Sequence, residues 1–112
     1  MLFKSTLLTM LGLLFSFQVL ASGTVLINGK DVKNREFFHS LIAKQLNFPQ
    51  YYTKTSDSLY DILSSDFGGG SIIKFKYLNI LKAKLGSDYI EGMIQAIENA
   101  SVDNSRIVLL LE

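Results

Sequence analysis

Cysteine and tryptophan do not occur in this chain, and proline and histidine occur once each. Each scarcity excludes something. Without cysteine there is neither a disulfide framework nor a thiol nucleophile, so the fold rests on its core alone. With His39 as the one histidine and no nucleophile of the triad kind near it in sequence, nucleophilic hydrolysis has no visible machinery. Helical phase places His39 beside Phe38 at the edge of an apolar face, which predicts a surface or boundary histidine. A metal site needs several converging His, Asp or Glu ligands, and only Asp57 and Asp61 cluster. No metal or cofactor is expected.

The long apolar run that is present lies at the start. In MLFKSTLLTMLGLLFSFQVLASG a short region carrying Lys4 precedes an apolar stretch from about Leu7 to Leu20, which ends in small residues. This is the layout of a secretory signal cleaved after Ala21. As a membrane span it is short, and Ser16 and Gln18 interrupt it. The expected organisation is a signal peptide over residues 1–21 and one domain over residues 22–112, periplasmic or secreted, with no stable membrane association after cleavage. Removing Lys4 leaves ten basic residues against ten acidic ones, so the mature chain is formally neutral. Bulk charge therefore argues against direct nucleic-acid binding.

Thr24-Val25-Leu26-Ile27 is a β-branched apolar run closed by the turn signal Asn28-Gly29. Asn34 can cap a helix whose face comprises Phe37, Phe38, Leu41, Ile42 and Leu46, apolar apart from Gln45, and which Pro49 stops. Thr55 or Ser56 can cap a shorter helix carrying Leu59, Ile62 and Leu63, and Gly68-Gly69-Gly70 breaks the chain. That glycine run precedes a strand rather than a helix, unlike a phosphate-binding loop. Ser71 to Lys76 is a second strand, Tyr77 to Leu85 a helix ended by Gly86, and Ser87 caps a longer helix. Its buried stripe is Tyr89 or Ile90, Met93, Ile94 and Ile97. The terminal run Ile107-Val108-Leu109-Leu110-Leu111 reads as a central strand covered on both faces. The order β-α-α-β-α-α-β predicts an α/β fold: a small three-stranded parallel sheet packed with about four helices.

The stretch YYTKTSDSLYDIL carries the sharpest signal. Asp57 and Asp61 stand at i and i+4 of one helix, where like charges repel by about 0.2–0.5 kcal/mol. The helix dipole accounts for Asp57 near the helix start. It accounts poorly for Asp61, and not at all for Tyr51, Tyr52 and Tyr60 nearby. Tyrosines beside charges are enriched in the buried centres of protein interfaces. A glycosidase dyad of the two aspartates is allowed by spacing, but a domain of this size leaves little room for a sugar cleft. Lys74, Lys76, Lys82 and Lys84 form a basic segment that reads as a solvated face.

Over essentially the whole mature region the chain resembles the barstar family, protein inhibitors of barnase-type ribonucleases. The residues that carry the resemblance are Val25-Leu26-Ile27-Asn28-Gly29, Pro49-Gln50-Tyr51-Tyr52, the motif Asp57-Ser58-Leu59-Tyr60-Asp61 and the apolar terminal strand. The resemblance implies a barstar-like fold and no enzymatic activity. It implies a partner too: one barnase-type ribonuclease bound one-to-one by a monomer. By position Asp61 is then the anchor in a phosphate pocket, Asp57 a second acidic contact, and Tyr51 and Tyr60 pack around them. Departures from the family pattern are Thr53, Lys54 and Thr55 in the loop, Tyr60 in place of tryptophan, and Asn99 with Glu98 beside it where the fourth helix usually has glutamate. Lys54 is expected to place a positive charge beside the acidic patch. The alternative is an adaptor of the same fold for a different periplasmic or secreted partner.

Overall fold

A computed structural model describes residues 23–66 and 70–112, apart from the Asp66 side chain. The signal segment at residues 1–21, Gly68 and Gly69 lie outside the described residues. The elements are β1 (Thr24–Asn28), α1 (Arg35–Leu46), α2 (Ser56–Asp61) continued by a π-helical turn (Ile62–Asp66), β2 (Ser71–Lys76), α3 (Leu78–Leu85), α4 (Ser87–Asp103) and β3 (Ile107–Leu111). The expected α/β order is the order observed.

The strands form one parallel sheet in the order β1-β2-β3. Its register places Val25 opposite Ile73 and Ile73 opposite Leu109. Side chains alternate between the two faces of a strand. Val25, Ile27, Ile73 and Phe75 are fully buried beneath the helices. On the other face Leu26, Ile72, Val108 and Leu110 are about two-fifths exposed. Among the described residues β3 is therefore an edge strand with an open face, not the central strand covered on both sides that its apolar run suggested. A continuous apolar run specifies neither position in the sheet nor two-sided burial.

The core joins Ile27 and Phe75 of the sheet to Phe38 and Ile42 of α1, Leu59 and Leu63 of the α2 segment, Leu81 of α3, and Ile90 and Ile97 of α4, all fully buried. Each such side chain contributes about 1.5–3 kcal/mol by leaving water. Leu59 and Leu63 thereby fix the short helix α2, which is too short to be stable alone.

Local chemistry sets the boundaries. The Asn34 side chain caps α1 by accepting from the Phe37 N–H at 2.7 Å. The helix ends at Leu46, before Pro49 is reached, because Asn47 adopts the left-handed conformation at φ 55°. Tyr77, expected within α3, is its left-handed cap at φ 55°. A Cβ on Gly29 would lie 2.4 Å from the Tyr77 carbonyl oxygen, so this close approach requires glycine. Ser87, expected as a cap, is already the first residue of α4, and Gly86 closes the junction at φ 107°.

Candidate functional site

α2 and α4 pack together, and between them runs an open groove of about 710 Å³. Asp57, Tyr60 and Asp61 line it from α2, and Gln95, Asn99 and Asp103 from α4, with Gly92, Ala96 and Val102 completing that wall. Three predicted residues thus converge. Tyr51 does not line the groove; it stands in the preceding loop, 61% exposed.

The N-terminal turn of α2 is tightly tied. The Thr55 hydroxyl accepts from the Ser58 N–H at 3.1 Å, the expected cap. In return the Ser58 hydroxyl accepts from the Thr53 N–H at 3.1 Å. The two threonines that depart from the family pattern therefore hold the start of the helix. Lys54, between them, has a positive φ of 63°. Its ammonium forms an ion pair with Glu36 of α1, which lowers the Glu36 pKa. The positive charge expected beside the acidic patch is thus paired with a carboxylate on α1.

At its other end α2 passes into the π-helical turn at Asp61, whose carbonyl accepts from the Ser65 hydroxyl at 2.5 Å. Such turns recur at functional sites. The Asn104 amide donates to the Leu63 carbonyl at 3.0 Å and ties this turn to the end of α4. Asp61 is therefore presented from a braced segment.

Sequence reasoning missed Asp103. The Tyr60 hydroxyl donates to its carboxylate, and that bond is the largest cause of the raised Tyr60 pKa. The Gln95 amide donates to the Asn99 side-chain oxygen at 3.0 Å. Spacing puts Asp103 on the same face of α4 as Asn99, one turn on, but only the packing of α4 against α2 brings that face to the groove. Glu98, which stands beside Asn99 in sequence, does not line the groove. Among the described residues the lining holds three carboxylates and no lysine or arginine.

His39 is a correction: it is 2% exposed rather than a surface or boundary residue. Its Nδ1 bonds the Tyr52 hydroxyl and its Nε2 the Tyr89 hydroxyl. Tyr52 is 8% exposed and Tyr89 more open, so Tyr52 is the phenol that must donate its proton internally. The neutral tautomer that satisfies both bonds accepts from Tyr52 at Nδ1 and donates from Nε2 to Tyr89. Burial lowers the His39 pKa, Lys54 lowers it further, and Glu36 opposes. Burial raises both phenols. Tyr52 thus anchors the loop to α1 and α4, while its neighbour Tyr51 faces outward.

The arrangement can accept ion pairs and hydrogen bonds from a cationic partner. Among the described residues no group of three or more His, Cys, Asp or Glu could hold a metal ion. The fold and groove define a small α/β domain that presents carboxylates and a phenol from two packed helices. The family model for barstar, the barnase inhibitor, matches residues 23–111, and the chain belongs to that family. It is also similar to a Bacillus subtilis (strain 168) protein named "Putative ribonuclease inhibitor YrdF". The two are 28% identical over 88 residues, spanning 76% of this chain and 96% of that protein. Membership points to an inhibitor rather than an enzyme, with a ribonuclease as partner.

Proposed function

We propose that the protein is an exported inhibitor that binds a barnase-type ribonuclease one-to-one and blocks its active site through the α2–α4 groove. The carrying observation is the convergence of Asp57, Asp61 and Asp103 in a groove that no cationic side chain of the described residues lines. A ribonuclease active site must be cationic to hold a phosphodiester, so braced carboxylates are its electrostatic complement. Asp61 is the anchor that enters the phosphate pocket. Asp57 and Asp103 flank it, Tyr60 packs between them, and Tyr51 contacts the partner from the loop. The signal-like layout of residues 1–21 supports export and cleavage after Ala21, to a periplasmic or secreted site of action.

The test is titration of a barnase-type ribonuclease with the protein and with Asp61→Ala. The parent is expected to inhibit at one equivalent and the variant far more weakly. A parent that does not inhibit rejects the function, and an equally potent variant rejects the anchor. The mass of the protein recovered from an exporting host tests cleavage. The neutral charge of residues 22–112 favours one other reading, an adaptor for a different exported partner. Capture of only a ribonuclease from a periplasmic extract excludes it.

A further inference from the structure

The sheet has two edges, and the chain treats them differently. At β1 the Gln45 side chain lies along the edge: its oxygen accepts from the Leu26 N–H at 3.3 Å and its amide donates to the Leu26 carbonyl at 3.5 Å. That explains the polar Gln45 on the apolar face of α1, and it blocks pairing at this edge. At β3 no side chain of the described residues bonds the backbone of residues 108–111, and Val108, Leu110 and Leu111 are each more than two-fifths exposed.

Backbone direction along β3 follows from its bonds to β2. Arg106 accepts from the Ser71 N–H at 2.9 Å and Glu112 donates to the Phe75 carbonyl at 2.9 Å. Residues of even number therefore turn their backbone groups toward β2. Ile107, Leu109 and Leu111 turn theirs outward, and the Ile107 N–H is used by the Asn104 carbonyl at 3.0 Å.

We infer that β3 is the seam of a homodimer in which two copies pair antiparallel about Leu109, in place of the monomer expected from sequence. In that register Leu109 faces Leu109 of the partner subunit, Ile107 faces Leu111 of the partner subunit, and Val108 faces Leu110 of the partner subunit. Outward-directed residues meet each other, as antiparallel hydrogen bonding requires. Arg106 falls opposite Glu112 of the partner subunit, twice by symmetry. Arg106 forms no ion pair among the described residues, and Glu112 has only Lys74, at 3.0 Å. Sliding the strands by two residues takes Arg106 away from Glu112, in one direction setting it against Leu110 of the partner subunit, so charge complementarity selects this register. The six-stranded sheet buries the open apolar edge and uses no residue of the α2–α4 groove, so this inference stands independently of the ribonuclease reading.

The test is analytical ultracentrifugation of the full protein over a wide concentration range, with hydrogen exchange read at the Leu109 amide. The parent is expected to dimerise, with Leu109 protection rising with concentration. Arg106→Glu sets like charges opposite each other and is expected to weaken the dimer by roughly tenfold or more; Arg106→Glu with Glu112→Arg restores it. Arg106 is exposed, and thermal unfolding of the variants checks that they fold. A parent monomeric throughout, or a dimer that Arg106→Glu leaves intact, overturns the inference.

Discussion

His39 holds two phenols from different parts of the chain, and burial makes its charge state depend on folding. Its folded pKa lies below the ordinary 6.5, chiefly through burial. The unfolded chain therefore binds a proton near neutrality that the folded chain does not. The contribution to stability is complete above about pH 6.5 and is lost as the pH falls toward the depressed value. The urea midpoint is expected to drop between about pH 7.5 and 5.5, while a His39→Gln variant is less stable and flatter in that window. A parent midpoint that does not change there refutes the assignment. Glu36, whose pKa is lowered chiefly by its bond to Lys54, is an exposed carboxylate that titrates below this window. Asp61 carries the second prediction at this scale. With Asp61 as the proposed interface anchor, its truncation to alanine is expected to cost at least about 2 kcal/mol of ribonuclease binding, read as the ratio of dissociation constants. The place of Asp61 on the groove was legible because repulsion at i, i+4 asks for a reason. His39 was not, since helical phase gives an angle around α1 and says nothing of the two tyrosines that close over it.

Elements were legible where a local signal decides them. Asn34, Thr55 and the order of strands and helices follow from caps, turns and periodicity, and each stands where expected. Asn34→Ala is expected to cost about 1 kcal/mol, lowering the midpoint of thermal unfolding by roughly 4–8 °C for a domain of this size. What failed was what neighbours decide: the edge position of β3, and the cap of α4, where Gly86 closes the preceding helix. The groove was half legible. Its α2 wall is contiguous in the sequence, whereas Asp103 joins it only because α4 packs against α2. Gly92 on that second wall makes a prediction of opposite sign. Among the described residues nothing lies within 4 Å of where its Cβ would be, and glycine inside a helix costs about 1 kcal/mol relative to alanine. Gly92→Ala is therefore expected to raise the thermal midpoint, and any loss of ribonuclease inhibition in that variant reports close approach of a partner to α4. A lowered midpoint refutes the open-wall geometry.

For the whole molecule, charge separation matters more than charge. Residues 22–112 are formally neutral, yet Asp57, Asp61 and Asp103 share one groove, while Lys74, Lys76, Lys82 and Lys84 lie elsewhere on β2 and α3. Long-range steering of a cationic partner needs net opposite charge; a neutral molecule offers only the local field of its acidic groove. That field decays within a Debye length, about 10 Å at 0.1 M salt, so it guides docking only after close approach. Proteins without steering associate at about 10⁵–10⁶ M⁻¹s⁻¹. The association rate with a barnase-type ribonuclease is therefore expected near that range, falling less than about tenfold between low salt and ~0.5 M, with dissociation little changed. Stopped-flow mixing across that salt range measures it. A fall of a hundredfold or more would mean that the groove field reaches far beyond the contact surface, and the neutral balance of the chain would then be irrelevant to how it finds its partner.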